Sequence, residues 1–293
     1  MLTQSITSEV VSVLVTARDS VQATLFKPGT EITGVLVIHP ATATPRGFYR
    51  AFAQHAAGRG LLTITYDYRG TGLSGSPKTL PEIKMRDWIQ QDIPAVARWA
   101  AERYPDVPHF ALGHSVGGHG LVLNYGTENL KACAITSSHV AALRTISPLP
   151  ERLRVTAVLN VIGPVLSRTI GYMPGKKLGL GEDIPREALL DWSSWTLKKN
   201  YFFDDPGMAA AQRAEQVRVS MLAVGASDDL WASPQQMDAL TSHVTGVSVE
   251  RRTYTPEQVG TKSIGHHGLM RRGIGEPVWD DILDWFEAKD PRN

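Results

Sequence analysis

The sequence predicts an α/β fold: a mostly parallel central sheet flanked by helices, with an inserted helical cap. Three observations indicate this class. Strand-like apolar runs alternate with helix-like segments up to residue 138, the alternation fails from 139 to 206, and it then resumes. Strands that alternate with helices imply right-handed crossovers and a parallel sheet. We therefore predict an α/β core formed by residues 1–138 and 207–293, and a cap formed by residues 139–206.

The predicted strands comprise an edge pair and a buried set. Residues 11–17 and 21–26 are short, rich in β-branched side chains and separated by a polar turn, which is typical of an antiparallel pair. Most of the later runs are almost continuously apolar, as expected of strands buried on both faces. The later predicted strands cover residues 34–39, 61–66, 110–112, 131–136, 217–224 and 247–254, and the predicted core helices cover residues 48–57, 85–103, 234–243 and 276–288.

The composition favours small-molecule chemistry. The 293 residues include 30 basic and 29 acidic side chains, so no net field attracts nucleic acid. Residues 1–10 lack the basic start and apolar stretch of a secretory signal, and no run of about 18 apolar residues predicts a membrane span. We therefore expect a cytoplasmic protein with a small-molecule substrate. The single cysteine, Cys133, lies in an apolar run and is expected to be a buried structural thiol.

The segment from residue 110 to 118 is typical of a nucleophile elbow. It joins an apolar run to a helix-like stretch through Gly113-His114-Ser115-Val116-Gly117. A serine hydroxyl becomes an effective nucleophile on a tight turn, close to a base and to backbone donors. Gly113 and Gly117 permit such a turn and close packing of the strand against the helix. Ser115 is therefore the predicted nucleophile.

A serine nucleophile needs a histidine that accepts its proton. The preferred base is His266, because Ser263-Ile264-Gly265-His266-His267-Gly268 forms a glycine-flanked loop between the last strand and the last helix. The adjacent His267 is the alternative. His114 and His119 lie beside the serine in sequence and are expected to pack or form hydrogen bonds locally.

The histidine needs a carboxylate that fixes its tautomer and stabilises the imidazolium. Two aspartates directly follow the predicted strand 217–224, at the sheet edge expected to carry Ser115. Asp228 is the preferred acid, because a second aspartate at such a place, here Asp229, often serves as a turn or cap residue. Asp67, after the strand 61–66, is the remaining competitor.

The oxyanion of an acyl-transfer reaction needs backbone donors. The predicted donors are the N–H of Val116 and one N–H from the loop that begins at Pro40. Proline has no N–H, so Ala41 is the first possible donor in that loop. The hydroxyls of Thr42 and Thr44 either add contacts or merely line the loop.

Several motifs together resemble those of the α/β-hydrolase superfamily, over nearly the whole chain apart from the cap. They are Val37-Ile38-His39-Pro40, Asp67-Tyr68-Arg69-Gly70-Thr71-Gly72-Leu73-Ser74, Gly113-His114-Ser115-Val116-Gly117-Gly118, the strand leading to Asp228, and Gly265-His266. The chain order Ser115, Asp228, His266 is also that of the superfamily. Pro40 departs from the His-Gly pair common there. The resemblance implies an α/β-hydrolase fold and hydrolysis of an ester-like bond through an acyl-serine intermediate, without metal or organic cofactor.

The expected function is that of a serine carboxylesterase acting on a small or medium apolar ester. The cap is rich in aromatic residues, and Trp192, Trp195 and residues 201–203 either wall an apolar pocket or pack inside the cap. The same triad serves amide, peptide or thioester hydrolysis. A cofactorless lyase or acyltransferase is a second class on this fold, and a non-catalytic binding module is disfavoured by the complete set of candidate triad residues.

One glycine motif suggests a nucleotide cofactor but lacks the required context. Residues 70–75 match the dinucleotide-binding pattern G-x-G-x-x-G after a predicted strand. In a dinucleotide-binding fold the motif opens directly into a helix, whereas here Pro77 and Pro81 follow. The sequence also lacks the H-E-x-x-H zinc pattern. We therefore expect neither a cofactor nor a metal.

Overall fold

The computed structural model describes residues 5–290 and Arg292, and it confirms the predicted mostly parallel α/β fold. Within these residues, eight strands form the main sheet and two form a small separate sheet. The strands are β1 (Thr7–Leu14), β2 (Ser20–Lys27), β3 (Gly34–His39), β4 (Leu61–Tyr66), β5 (His109–His114), β6 (Leu130–Thr136), β7 (Tyr172–Met173), β8 (Ile184–Pro185), β9 (Ser220–Ala226) and β10 (Val249–Tyr254).

The main sheet has the order β1-β2-β4-β3-β5-β6-β9-β10. Strands β1 and β2 pair antiparallel, as predicted, and β2 also pairs antiparallel with β4. The pairs from β4 through β10 are parallel. The carboxyl ends of these strands therefore lie along one edge, which is where open α/β sheets bind ligands.

The helices follow the predicted alternation. They are α1 (Arg50–Gly58), α2 (Met85–Asp87), α3 (Ile93–Arg103), α4 (Val116–Val122), α5 (Leu149–Thr156), α6 (Gly163–Ile170), α7 (Arg186–Thr196), α8 (Ala210–Ala214), α9 (Pro234–Thr241), α10 (Pro256–Val259), α11 (Gly265–Gly268) and α12 (Glu276–Glu287). π-Helical turns join α2 to α3 (Trp88–Asp92) and α5 to α6 (Ala157–Ile162). The first helix after β4 begins at Met85, so residues 70–75 lie in a loop, as predicted.

Strand β3 shows how the core is divided. All six of its residues are buried. Val35 and Val37 point to the face that packs against α3 and α4, whereas Leu36 and Ile38 point to the face that packs against α1 and α12. A strand covered on both faces needs apolar side chains at every position, which explains its continuous apolar sequence.

The inserted segment, residues 139–206, lies between β6 and β9 and contains α5, α6, α7, β7 and β8. Its apolar side chains continue the core of one sheet face. It is also tied to the core by charge, because Arg86 forms ion pairs with Asp191 and Asp205. The exact limits of the cap remain a prediction.

The continuous helix Leu149–Ile170 is the one candidate membrane span among the described residues. It has 22 residues, and its most apolar window of 18 residues has a mean hydropathy of 1.2 and is 28% buried. The chain before and after this helix forms β6 and β9, which are hydrogen-bonded neighbours in one sheet. A single crossing would place these two strands on opposite sides of a bilayer, so this helix does not indicate a membrane protein.

Candidate active site

Ser115 occupies a strained turn between β5 and α4. Its φ is +52°, in the region that residues with a side chain rarely adopt. The backbone is held there because the Ser115 N–H donates to Thr136 O at 2.9 Å and the Ser138 hydroxyl donates to Ser115 O at 2.9 Å. Within residues 5–290 the Ser115 Oγ makes no hydrogen bond, so it is available to the cavity that it lines. Such strain is typical of functional positions.

Two glycines make the turn possible, as predicted. A Cβ on Gly113 would lie 2.5 Å from the backbone of Gly118, and a Cβ on Gly117 would lie 2.2 Å from His39 O. Real side chains do not approach backbone atoms this closely. The helix that begins at Val116 therefore packs directly against the ends of β3 and β5.

His266 lines the same cavity as Ser115 and is bound by a carboxylate. Its Nδ1 lies 2.9 Å from Asp229 Oδ2. A carboxylate accepts hydrogen bonds, so Nδ1 carries the proton and the lone pair of neutral His266 lies on Nε2. This is the tautomer that a general base needs.

The prediction that Asp228 contacts the histidine is wrong. Asp228 Oδ2 accepts hydrogen bonds from the Ser263 hydroxyl at 2.7 Å and the Ile264 N–H at 2.9 Å, and its Oδ1 accepts from the Gly265 N–H at 3.0 Å. Asp228 thus supports the backbone of the histidine loop from outside. Adjacent side chains leave the chain in different directions, and only Asp229 is directed towards the imidazole.

Asp229 is held as an anion although it is buried. Burial opposes ionisation, but the His266 imidazole and the Ala232 N–H outweigh it and keep the pKa of Asp229 well below its usual value. Its Oδ1 accepts from the N–H groups of Trp231 and Ala232, both at 2.9 Å. A buried, ionised and fully hydrogen-bonded carboxylate is well suited to orient an imidazole.

His267, the alternative base, makes a different contact. Its Nε2 lies 3.2 Å from Thr44 Oγ1. Burial, followed by the charges of His266 and Arg271, lowers the pKa of His267 to about 4, so it is neutral near pH 7. His267 therefore connects the histidine loop to the loop after β3.

Asp67, the third candidate acid, is used structurally. Its side chain forms an ion pair with Arg46 at 2.5 Å and accepts hydrogen bonds from the N–H groups of Arg46 and Leu73. These partners account for both carboxylate oxygens. Asp67 thus stabilises the loops that follow β3 and β4.

The two predicted oxyanion donors have different environments. Val116 is the first residue of α4, and its N–H makes no hydrogen bond within residues 5–290. The N–H of Ala41, by contrast, donates to the buried hydroxyl of Tyr49 at 2.8 Å. The prediction for Ala41 is therefore corrected, because the proton that would face the oxyanion is already bound.

A cavity of about 500 Å³ joins these groups to the inserted segment. Its apolar wall comes largely from that segment, through Val155, Val158, Leu159, Met173, Ile184, Leu189, Trp192 and Tyr201. The aromatic residues of the segment divide accordingly, since Trp192 and Tyr201 line the cavity whereas Trp195 and Phe202 are fully buried in the core. Among the described lining residues the permanently charged side chains are Arg154 and Arg271.

Trp231 lies at this site but is not among the residues predicted from the sequence. Its ring lies 5.9 Å from that of His266 and 6.1 Å from that of Trp192, and its Nε1 donates to Glu151 Oε1 at 2.6 Å. Trp231 thus connects the loop after β9, which contains Asp229, to α5 in the inserted segment. Its place two residues after Asp229 is the only sequence signal that marks it.

The sheet topology and the strained serine at its carboxyl edge define an α/β-hydrolase of the serine hydrolase class. A comparison with models of protein families assigns the chain to one family within this class. Residues 30–256 match the family described as serine aminopeptidase, S33, and the chain belongs to this family. The resemblance drawn from the sequence motifs is thereby confirmed.

The most similar proteins include several lipases. The chain is 27% identical over 287 residues to a protein named monoacylglycerol lipase from Mycolicibacterium smegmatis, covering 89% of this chain and 91% of that protein. A soluble variant of the monoglyceride lipase of Saccharomyces cerevisiae has a TM-score of 0.67 at 14% identity, covering 99% and 98%. The monoacylglycerol lipase of Paleococcus ferrophilus has a TM-score of 0.61 at 15% identity, covering 92% and 99%. Because these two solved structures are only 14% and 15% identical to this chain, they show that the fold is shared and no more.

Proposed function

We propose that this chain is a serine esterase that hydrolyses the ester of an apolar acid, with Ser115 as nucleophile, His266 as general base and Asp229 as orienting acid. The observation that carries the proposal is the meeting of a strained serine and an aspartate-bound histidine at one apolar cavity. Residues 139–206 are proposed to act as the cap that shapes this cavity.

The chemistry follows from the tautomer of His266. Ser115 Oγ attacks the carbonyl carbon while its proton passes to His266 Nε2, and Asp229 stabilises the imidazolium. The C–O bond of the ester then breaks, and the imidazolium gives its proton to the leaving alcohol. Water attacks the acyl-serine with the same base and releases the acid. The separation of Ser115 from the imidazole is expected to close when substrate binds, since catalytic hydrogen bonds are often long in free enzymes.

The charges of the cavity favour an ester over a peptide with a free amino terminus. An aminopeptidase has to bind a protonated amine, for which a carboxylate is the natural partner. The described residues that line this cavity include no aspartate or glutamate, and their charged members are Arg154 and Arg271. Arg154 is paired with Glu151, at 2.8 Å from its Nε, so the lining offers an ammonium group no unpaired carboxylate, and a neutral ester needs none.

Surface chemistry supports a lipid-like acyl group. Leu149, Leu153, Val161 and Val165 follow one another at multiples of four residues along the helix above the cavity, and each is more than half exposed. Contiguous exposed apolar side chains are typical of surfaces that meet apolar ligands or partners. The name of the mycobacterial relative is in keeping with a monoacylglycerol-like substrate.

The proposal is tested by replacing the nucleophile. Ser115→Ala is expected to reduce kcat/KM for p-nitrophenyl esters and monoacylglycerols by at least about 10⁴-fold, because no acyl-serine can form. Ser167→Ala is the matched control, since Ser167 is fully buried in α6 and its hydroxyl has no partner among the described residues. Retained turnover in Ser115→Ala, with both variants folded, would refute the proposed mechanism.

A further inference from the structure

A buried chain of hydrogen bonds joins the loop after β3 to the histidine loop. The Ala41 N–H donates to Tyr49 Oη at 2.8 Å, Tyr49 Oη lies 2.9 Å from His114 Nδ1, and His114 Nε2 lies 2.9 Å from His266 O. Tyr49 and His114 are almost completely buried. This chain passes beside Ser115, because His114 is the residue before the nucleophile.

The direction of each hydrogen bond can be assigned. A backbone carbonyl only accepts, so His114 Nε2 carries the proton that His266 O receives. Burial lowers the pKa of His114, so the ring is neutral and its Nδ1 is an acceptor. The Tyr49 hydroxyl therefore donates to His114, and its oxygen accepts from Ala41. Each polar atom in this chain has a partner, which is the condition for a rigid buried network.

A second chain of hydrogen bonds holds the same loop. The Thr44 hydroxyl donates to Thr42 O at 3.2 Å, so its oxygen accepts from His267 Nε2, also at 3.2 Å. The neutral state of His267 supplies the single N–H that this contact requires. His267 thus contacts the loop after β3 directly through its ring, whereas the carbonyl of His266 is connected to that loop through His114 and Tyr49.

These contacts leave the Thr42 amide free. Residues 41–44 form a turn in which the Thr44 N–H donates to Ala41 O at 3.2 Å and Ala43 has a φ of +56°, as in a type II turn. In a trans peptide the C=O and N–H point in opposite directions, so the Thr42 N–H points away from the turn's own hydrogen bond. Thr42 lines the cavity, and its N–H has no partner within residues 5–290.

We propose that the Thr42 N–H, and not that of Ala41, is the loop donor to the oxyanion. Tyr49 and His114 are then positioning residues that fix the position of this loop relative to His266. The inference rests on the proposed esterase function. It changes the oxyanion hole from Ala41 and Val116 to Thr42 and Val116. A donor fixed before the reaction needs no reorganisation as charge develops on the substrate oxygen, which is the source of its catalytic effect.

The first test removes one backbone proton. Proline suits the second position of a type II turn, so Thr42→Pro deletes the N–H while the turn is retained. We expect kcat to fall about 10²- to 10³-fold with KM little changed. Thr42→Ala is the matched comparison, because it loses the same hydroxyl but keeps the amide, and Thr42→Pro should have a kcat at least about 30-fold below that of Thr42→Ala. Equal activity of the two variants would overturn the proposal.

The second test removes the hydroxyl of the positioning residue. Tyr49→Phe should reduce kcat about tenfold, leave KM unchanged, and weaken a trifluoromethyl ketone inhibitor by the same factor as kcat/KM. Tyr66→Phe is the control, since Tyr66 is equally buried and its hydroxyl contacts His39 Nδ1 at 2.9 Å. The two variants should lose similar stability, but Tyr66→Phe should keep its rate. If Tyr49→Phe reacts as fast as the wild type or faster, the released Ala41 amide serves the oxyanion and the proposal is wrong.

A third measurement needs no variant. In wild-type protein labelled with ¹⁵N-threonine and ¹⁵N-alanine, the trifluoromethyl ketone should shift the Thr42 amide proton downfield much more than that of Ala41. The reverse pattern would overturn the assignment even if Thr42→Pro fails to fold. Failure of the esterase proposal is recognised separately, because the wild type would then not hydrolyse esters, or Ser115→Ala would still hydrolyse them.

Discussion

The carboxyl edge of the sheet and the inserted segment face one cavity but are built differently. At the edge, Ser115, Asp229 and His266 are fixed by backbone hydrogen bonds and a buried carboxylate. The segment above contributes mainly apolar side chains and is tied down by a few polar contacts, such as Arg86 to Asp191 and Trp231 to Glu151. From this difference we expect the edge to determine the reaction and the segment to select the substrate.

The largest expected effect separates the two adjacent aspartates of the edge. Asp229→Asn should lower kcat about 10³- to 10⁴-fold, because an amide that donates to Nδ1 favours the wrong tautomer of His266. Asp228→Asn should cost less than about tenfold in kcat, since Asp228 supports only the loop backbone, together with some stability from weakened hydrogen bonds. Steady-state kinetics on a p-nitrophenyl ester, with thermal unfolding of both variants, measures the difference.

This pair also provides the sharpest test of the edge as a reaction centre. If Asp228→Asn proves as damaging to kcat as Asp229→Asn while its Tm is unchanged, the geometry assigned to the loop after β9 is wrong. A loss of activity in Asp228→Asn that follows a loss of folding would leave the assignment intact.

The aspartates show how far the sequence can lead. Strands β3 and β4 end where their apolar runs end, and Ser115 is marked by the glycines that its turn requires, so these features are predictable from local pattern. Asp228 and Asp229 have the same chemistry and neighbouring positions. Which of them reaches His266 depends on the path of a loop, and that path is set by long-range contacts such as Asp228 to Ser263.

The Ala41 amide is a second case beyond local pattern. Pro40 rightly excludes its own position as a donor, and Ala41 follows it in sequence. The hydroxyl that binds the Ala41 N–H belongs to Tyr49, eight residues later. The sequence pattern around Tyr49 predicts only a helix. Hydrogen bonds between distant side chains and backbone carry no periodic signal, so the loop is predictable from the sequence but its unbound N–H is not.

The next effect tests the inserted segment as the selector of substrate. Val158 lines the cavity from the π-helical turn, whereas Val161, three residues later, is 56% exposed and does not line it. Val158→Trp should lower kcat/KM for long-chain p-nitrophenyl esters about 10- to 100-fold and leave the acetate ester within about threefold, because a bulky side chain shortens the acyl site. The matched change Val161→Trp should alter neither.

A panel of acyl chain lengths measures this selectivity. Should Val158→Trp reduce the rate of every ester equally, the segment would be acting on the reaction itself, and the division between edge and segment would fail. A change of chain-length preference in Val161→Trp would contradict the assigned cavity wall.

The smallest predicted effect is a loss of stability at acidic pH, which we expect to come from the carboxyl edge of the sheet. Burial is the largest cause that lowers the pKa of His39 to about 3 and that of His119 and His267 to about 4, and all three lie outside the inserted segment. The single histidine of residues 139–206 is His139, at the first position, where burial also lowers the pKa to about 3. A histidine with an unfolded pKa of about 6.5 then takes up a proton only on unfolding. Its contribution is present above about pH 6.5 and is lost as the pH falls towards the folded value.

Between pH 6.5 and 5, the free energy of unfolding should therefore decrease with falling pH, by up to about 1.4 kcal/mol per pH unit for each such histidine. Asp229 adds nothing in this window, because the stability from its lowered pKa is lost only below the usual range of an aspartate, about pH 4. Urea unfolding at several pH values measures the slope. His119→Gln, if folded, should reduce the slope by about one proton. A stability that stays constant from pH 6.5 to 5 would show that these side chains are solvated or charged in the folded protein, and the edge would then lack the rigid, dry environment that distinguishes it from the segment above.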